Sequence, residues 1–538
     1  AGRLQPSQRI TPAGNQIDYE YKPGLTTQPT MIKPPEGNST FEYDLLNGNL
    51  ESSSNARGTY SFSYTNAGHL SVESWKDDAH PAPWVTRYTS SLKGRQLSRT
   101  DVGGQIAVAD YDPVNGRLRS VRQCQLQADF AFDNCGRLYR TISTDLGTGN
   151  KLTTTLAFDD IGRETLRTLT LRDARGQALQ PDRSIELTYL ADGNVNTRHL
   201  RVGGITALLE TFEYDLRGRL VVHEYSGTEL PKDRFGHGLL KQIFEFDALD
   251  NIIYSRTDFE DGSRNVTQYG FSADDPCQLI KTTHSHPDYE KGLLTDFTYD
   301  ADGNLTHDEL GQQLHYDSQG RLLKFSTPAG QPVTTYAYDA HDHLVAVNPS
   351  GQSELLRFYE GNTLSDMVQD GQHTQVLNQG AQPLGQQVPG DDSKTLLLLT
   401  DAKHSVIGES QADELRTAAY TGYGEISGDA PLQSLKAFNG EVRDPRSGWY
   451  LLGRGYRVYN PFLMRFHSPD FLSPFGAGGI NSYMYCTGNP IAFSDPTGHA
   501  GESSRLIRDP RFMYGTGGAA IALGIFFSIV TFNPVPLA

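Results

Sequence analysis

The chain has 538 residues, with 54 glycines, 28 prolines, 27 tyrosines and 24 phenylalanines, but only 4 cysteines and 5 methionines. This length permits several domains and a large core, and 21% charged against 37% hydrophobic residues excludes wholesale disorder. A formal net charge of −17 excludes a general nucleic-acid binder, since no broad face would neutralise phosphates.

Cys124, Cys135, Cys277 and Cys486 follow no zinc spacing and are too sparse for a disulfide scaffold. No cofactor or metal is expected. The chain opens on Ala1 with no basic-then-apolar leader after it, so it reads as a processed or cut piece of something longer.

A repeat dominates from the N-terminus onward. The phrases FEYDLLNGNL, ADYDPVNGRL, FEYDLRGRL, FTYDADGNL and LHYDSQGRL share one theme: an aromatic, Asp, a short polar turn with Gly or Asn, then Leu. Thirteen such aromatic anchors run from Tyr43 to Tyr338 at a mean spacing of about 25 residues. Each unit has the chemistry of a β-hairpin. In FEYDLRGRLVVHEY, Phe212 and Tyr214 share one face of a strand, Asp215 caps the turn, Gly218 supplies a positive φ, and Leu220 and Val222 restart the alternation. Thirteen hairpins imply roughly 26 strands and a ribbon about 125 Å wide, which must curl, coil or close because sheets twist. The turn aspartates read as backbone caps, for they lack the dense spacing of a calcium loop. The tyrosine ladder reads as cross-strand packing rather than a carbohydrate cleft.

These Y-D-x-x-G-R-L units resemble the YD repeats of Rhs proteins, of the C components of insecticidal Tc toxins, and of animal teneurins. The resemblance covers about residues 19–430. It implies an all-β fold in which a large spiralling antiparallel sheet of YD-repeat hairpins forms a hollow, cocoon-like shell. The expected division is a shell over 1–430, a core over 431–499, and the start of a C-terminal cargo over 500–538.

After about Ser365 the hairpin signature fades, through polar turns and the apolar run 396–400. Residues 437–499 then crowd Gly, Pro, Asn and aromatics together, which calls for a compact, loop-built unit. This segment resembles the Rhs-repeat-associated core that plugs one end of the shell. Within it, Asp470 and Asp495 flank the FGAGGIN turn, 25 residues apart, and Arg457 precedes Asp470 by 13. Brought together, two carboxylates cannot both ionise easily; one keeps its proton and the other serves as a base towards water. Arg457 would hold one of them ionised or stabilise an oxyanion. Spacing alone favours turn caps for both aspartates, Asp-Pro-x-Gly being a common turn. The resemblance implies that they form an intramolecular, single-turnover aspartyl autoprotease, with Arg457 assisting and the His499–Ala500 bond cut. His499 stands where the family usually has Leu, and Asn460 where its core usually has Asp; a pocket shaped for Leu is expected to accept imidazole less well.

Only 39 residues follow His499. From Met513 through Phe526 to Phe532, 20 residues carry no charge, long enough as a helix to span about 30 Å of bilayer. Four glycines in that stretch fit a membrane helix better than a soluble one; a helix buried inside the shell is the alternative. No nucleotide, zinc-protease or nuclease motif accompanies it.

The function expected is a toxin-encapsulating, self-cleaving shell, secreted from a bacterial producer and delivered into target cells. Its partners would be its own C-terminal toxin segment, a secretion or injection machine (a Tc complex or type VI secretion), an immunity protein or chaperone, and a target-cell membrane, with no nucleic acid bound by the shell. The alternatives are a YD-repeat adhesion protein and a carbohydrate-binding β-protein without proteolysis.

Overall fold

A computed structural model describes residues 6–23, 28–427, 432–474, 478–499 and 502–503. The membrane-segment candidates Met513, Phe526 and Phe532, and Ala500 on the far side of the expected cut, lie outside these residues.

Two antiparallel sheets dominate: one of 23 strands from Gln8–Ile10 to Leu279–His284, and one of 11 from Gln313–Tyr316 to Glu414–Thr417. Successive strands pair as a continuous meander, so the hairpin is the building unit. The repeat chemistry is visible in the unit around Tyr214. Asp215 Oδ1 accepts from the Arg217 and Arg219 amides, both at 2.9 Å, and Gly218 takes φ +80°. Arg219 Nε then donates to Asp215 Oδ2 at 2.6 Å, while its guanidinium carbon lies 4.7 Å from the ring centroid of Phe246 in the next repeat. The Tyr214 hydroxyl donates to the Val195 carbonyl of the previous repeat at 2.9 Å. Arg137, Arg163 and Arg321 repeat the aspartate clip and reach Phe158, Tyr189 and Tyr338 in turn. Each motif therefore locks its own turn and ties itself to both neighbours.

Curvature has a local origin. The strand register slips at the aromatic anchor of one repeat after another, as at Ala131/Phe132, Glu213/Tyr214 and Ala337/Tyr338. Such bulges raise the twist and bend the bulged strand, and here they recur at eleven of the thirteen anchors, Tyr88 and Tyr299 being the exceptions. The ribbon comes back upon itself after 262 to 297 residues: the Gln125 amide donates to Gln387 Oε1, and Arg57 donates to Glu354. Between these limits Arg99 meets Asp366, and Asn55 Nδ2 donates to the Tyr338 carbonyl. The second sheet packs face to face on the first. Phe62 and Trp75 meet Val345 and Phe358; Leu126, Leu152 and Leu169 meet Leu377, Leu397 and Leu399. Leu396 and Leu398 point the other way and are also buried, so the Thr395–Thr400 part of the strand Asp391–Thr400 is covered on both faces, as its apolar run demands.

Two details differ from the sequence reading. The ribbon is broken into two sheets, because a short helix α1 (Pro287–Gly292) follows Leu279–His284 and only isolated bridges join residues 281–313. His286 as N-cap, Pro287 at the helix start and the acidic Asp288 and Glu290 in its first turn begin this helix. Second, hairpins persist past Ser365 through Glu414–Thr417; there the turns are two-residue types such as Asp370–Gly371, with φ of +52° and +72°. Those strands raise the number above the sequence count.

Residues 437–474 and 478–499 are built mostly of loops, with four two- to four-residue strands, Tyr450–Leu451, Arg457–Asn460, Arg465–Phe466 and Phe493–Ser494. This unit, called the plug below, is clasped by turns of the repeats. Asn489 Nδ2 donates to the Gly218 carbonyl at 2.8 Å, Asn481 Nδ2 to Asn251 Oδ1 at 2.7 Å, and the Tyr483 hydroxyl to the Gly303 carbonyl at 2.7 Å. Arg454 reaches His343 at 3.0 Å, and the Lys403 ammonium donates to the Pro490 carbonyl. Tyr450, Tyr459, Phe466 and Tyr485 fill the space over Phe212, Leu220 and Phe244, and Trp449 packs on Phe325. Burying each large ring contributes about 1.5–3 kcal/mol.

A buried Asp–Arg–Asp site in the plug

Arg457 begins the central strand of the plug and is 3% exposed. Its guanidinium carbon stands 3.7 Å from the centroid of Phe466, Nη1 donates to the Ser482 carbonyl at 3.0 Å, and Nε donates to the Gly498 carbonyl. With its plane stacked and two nitrogens engaged, the third nitrogen is aimed. Nη2 lies 3.2 Å from Asp470 Oδ2 and 3.7 Å from Asp495 Oδ2, and both aspartates are 3% exposed.

Each aspartate also caps a turn, but with its other oxygen. Asp470 Oδ1 accepts from the Leu472 amide at 2.9 Å, and Asp495 Oδ1 accepts from the His499 amide at 3.0 Å and from the Thr497 hydroxyl at 3.1 Å. The capping and the paired-carboxylate readings are thus both present, one oxygen each. Burial pushes the Asp495 carboxyl above its ordinary range; Asp470 adds to the rise and Arg457 opposes it. One cation faces two carboxylates, so a proton on Asp495 leaves the cluster neutral. Asp470 Oδ2 accepts no hydrogen bond among the described residues, its approach to Arg457 being an ion pair without hydrogen-bond alignment.

His499 is held against this cluster. Its Nδ1 pairs with Asp470 Oδ1 at 3.0 Å, and its ring lies 4.2 Å from that of Tyr456 and 4.9 Å from that of Phe471. The imidazole therefore has an aromatic seat and a polar partner, in place of the poor fit expected from a Leu-shaped pocket. Asn460 has a physical reason too. It is fully buried, its Nδ2 donates to Glu309 Oε2 at 2.7 Å, and its Oδ1 accepts from the Phe462 amide at 3.0 Å. An aspartate there would face the Glu309 carboxylate. The supporting roles of Phe466, Ser482, Thr497, Tyr456 and Phe471 escaped the sequence reading, since no spacing rule links them to the dyad.

The sheets, the repeat clips and the plug define a YD-repeat shell. The Teneurin YD-shell profile matches residues 5–477, and the chain belongs to that family. Double-stranded DNA deaminase toxin A of Burkholderia cenocepacia (strain H111) is 25% identical over 420 residues, covering 65% of this chain and 26% of that protein. The crystal structure of TcdB2–TccC3 without its hypervariable C-terminal region has a TM-score of 0.50 at 15% identity, covering 91% of this chain and 30% of the other. The Photorhabdus luminescens Tc holotoxin pore gives 0.50 at 15% identity, covering 92% and 29%. This chain spans less than a third of the length of each of these relatives, and the structural likeness establishes the fold.

Proposed function

We propose that the chain is a toxin-encapsulating shell that cuts its own backbone after His499 and so frees a C-terminal cargo segment within the shell. The observation that carries this reading is the single guanidinium nitrogen set between two buried carboxylates, with Gly498 and His499 bound to all three groups. Membership of the YD-shell family and a toxin among the relatives support the encapsulating part.

The chemistry follows from the environments. Asp495, whose pKa is raised, keeps its proton and passes it to the carbonyl oxygen of His499. Asp470 Oδ2, the open acceptor, takes a proton from water as its oxygen bonds to the carbonyl carbon. The tetrahedral intermediate collapses when the proton on Asp470 moves to the departing amine of Ala500 and the carbon–nitrogen bond breaks. One of the diol's two hydroxyl protons returns to Asp495, and the resulting His499 carboxylic acid gives the other to the freed amine, leaving a carboxylate beside Arg457 and an ammonium on Ala500. Positioned acid–base groups supply about 10²–10⁴-fold, and Arg457 stabilises the developing negative charge. A cleft lined by Lys403, Asn439, Glu441, Tyr485 and Asp495 reaches the proton donor. Because the new terminus stays in its aromatic seat, one turnover is the whole reaction.

Delivery by a secretion or injection machine belongs to the same proposal, as does a cargo that enters membranes through the uncharged stretch Met513–Phe532. No helix of the described residues is long and apolar enough to cross a membrane. The test is protease protection of the purified chain carrying a C-terminal epitope. The proposal expects a tail fragment starting at Ala500 that resists added protease until the shell is denatured. A tail digested at once in the folded protein refutes encapsulation.

A further inference from the structure

Away from the plug's dyad, two loops at one edge of the large sheet bring a different set of groups together. His237 closes the turn 233–237, ahead of the strand Leu239–Phe246. His286 is the N-cap of α1, and Asp288 lies in its first turn, directly after the strand Leu279–His284. His237 Nε2 is 3.1 Å from Asp288 Oδ2, and His286 Nδ1 is 3.8 Å from the same oxygen. The two imidazole rings are 4.8 Å apart, and one ligand atom from each of the three residues lies within 4.8 Å of the others.

We propose that His237, His286 and Asp288 bind one divalent transition-metal ion of the zinc class. Four arguments support it. In a tetrahedral site with metal–ligand bonds of about 2.0–2.2 Å, ligand atoms stand about 3.3–3.5 Å apart, so these three need only small side-chain adjustments. The donor set of two imidazoles and one carboxylate is of the kind that leaves a fourth position for water. His237 Nδ1, on the far side of the ring, lies 3.9 Å from Asp261 Oδ2, so a small side-chain turn would give the carboxylate–histidine hydrogen bond that fixes a ligating imidazole. Among the described residues neither Asp261 nor Asp288 is paired with an arginine or lysine, so a dication would supply the missing countercharge. The remaining contact on His286 Nδ1 is the Asp288 amide at a long 3.4 Å, which the ion would replace.

The second such grouping in the molecule shows the contrast. Asp101, Asp366 and His373 also converge, but Arg99 is buried against Asp366 and Gln375 and Gln123 donate to Asp101, so that cluster is already neutralised and bonded. At the His237 site the floor is aromatic: Phe259 lies 5.0 Å from His237 and Tyr289 lies 6.0 Å from His286. Tyr289 in turn donates to Asp233 at 2.8 Å and stacks on Phe462 of the plug, 6.1 Å between centroids. An ion here cross-braces two edge loops separated by four strands and steadies the helix on which the plug rests.

The test uses the untagged full chain, stripped with a chelator and titrated with Zn²⁺ or Co²⁺ against a chromophoric competitor. The expected result is one equivalent bound with a Kd below about 1 µM, and a raised unfolding temperature in the presence of the ion. His237→Gln and the surface change Asp288→Asn should each weaken binding by about 100-fold, and Asp261→Asn by about 10–100-fold. His284→Gln, a histidine outside the cluster, should leave it unchanged. Circular dichroism confirms that each variant is folded, and Asp288→Asn keeps the test open if His237→Gln is not. Failure to hold one equivalent, or equal affinity in folded Asp288→Asn, overturns the proposal.

Discussion

Gly478→Ala is a small change that separates a hydrolytic site from a pair of turn caps. A methyl group built at Gly478 would lie 2.9 Å from Asp470 Oδ2 and 2.6 Å from Ser473 Oγ, where ordinary contact begins near 3.4 Å. The Gly478 backbone is outside the left-handed region, so alanine is not strained by its φ. Ser473 Oγ has no hydrogen-bond partner among the described residues and can rotate away, whereas Asp470 is held by Arg457 and the Leu472 amide. The fold should therefore lose only about 1–3 kcal/mol, the ordinary cost of mild overpacking. The methyl takes the volume in front of the one open oxygen of Asp470, where the attacking water must sit. Losing that water should slow self-cleavage by at least about 100-fold, or about 2.7 kcal/mol of barrier. The assay is a cell-free synthesis time course, reading cut and uncut chain by gel and mass. Ser473→Ala, which leaves the water's volume open, should cut at the wild-type rate. A Gly478→Ala chain that folds and cuts as fast as wild type would refute the placement of the water.

Three further outcomes are expected. Arg457→Met leaves two buried carboxylates without their cation, so it should abolish cutting and destabilise the plug by about 3–5 kcal/mol; adding Asp495→Asn should recover part of that loss, measured by urea unfolding monitored at the plug's Trp449. The pH dependence has a definite sign: because folding raises the Asp495 pKa, its contribution to stability is fully present below the ordinary carboxylate value of 3.8 and is lost as pH rises through the elevated value. Cutting should slow over the same rise, and in Asp495→Asn this part of the pH slope in unfolding midpoints should vanish. In the shell, Leu397→Ala should cost about 2–5 kcal/mol, since Leu397 is 2% exposed between the two sheets, and a loss below about 1 kcal/mol would mean that the sheets do not pack face to face.

The hairpins were legible in the sequence because their determinants are local. Asp215, Gly218 and Leu220 lie within six residues and act on one turn, and the same holds wherever Y-D-x-x-G-R-L recurs. Arg219 carries a second role that no local rule exposes, because its stacking partner Phe246 is 27 residues on. The turn at Asp370–Gly371 uses backbone φ alone and needs no aromatic, so hairpins continued where the motif had faded. The return of the ribbon after 262 to 297 residues is set by many small bulges acting together and has no sequence period of its own. In the plug, Asp470 and Asp495 stood out through the family motif, while spacing alone favoured capping over catalysis. The geometry shows why spacing could not decide the matter: each carboxylate caps with Oδ1 and faces Arg457 with Oδ2. The seat for His499 was not legible, since Tyr456 and Phe471 come from separate loops, 43 and 28 residues earlier in the chain.

Intact mass under denaturing conditions, on freshly purified wild type and Asp470→Asn, tests the central claim most directly. The account predicts two wild-type fragments that meet at His499/Ala500, and a single uncut mass for the variant. A cut at Asp495–Pro496 in both samples would instead point to acid-labile Asp–Pro chemistry in handling. A single uncut mass in both, from protein shown to be folded, would contradict the self-cleaving shell and leave Asp470 and Asp495 as turn caps.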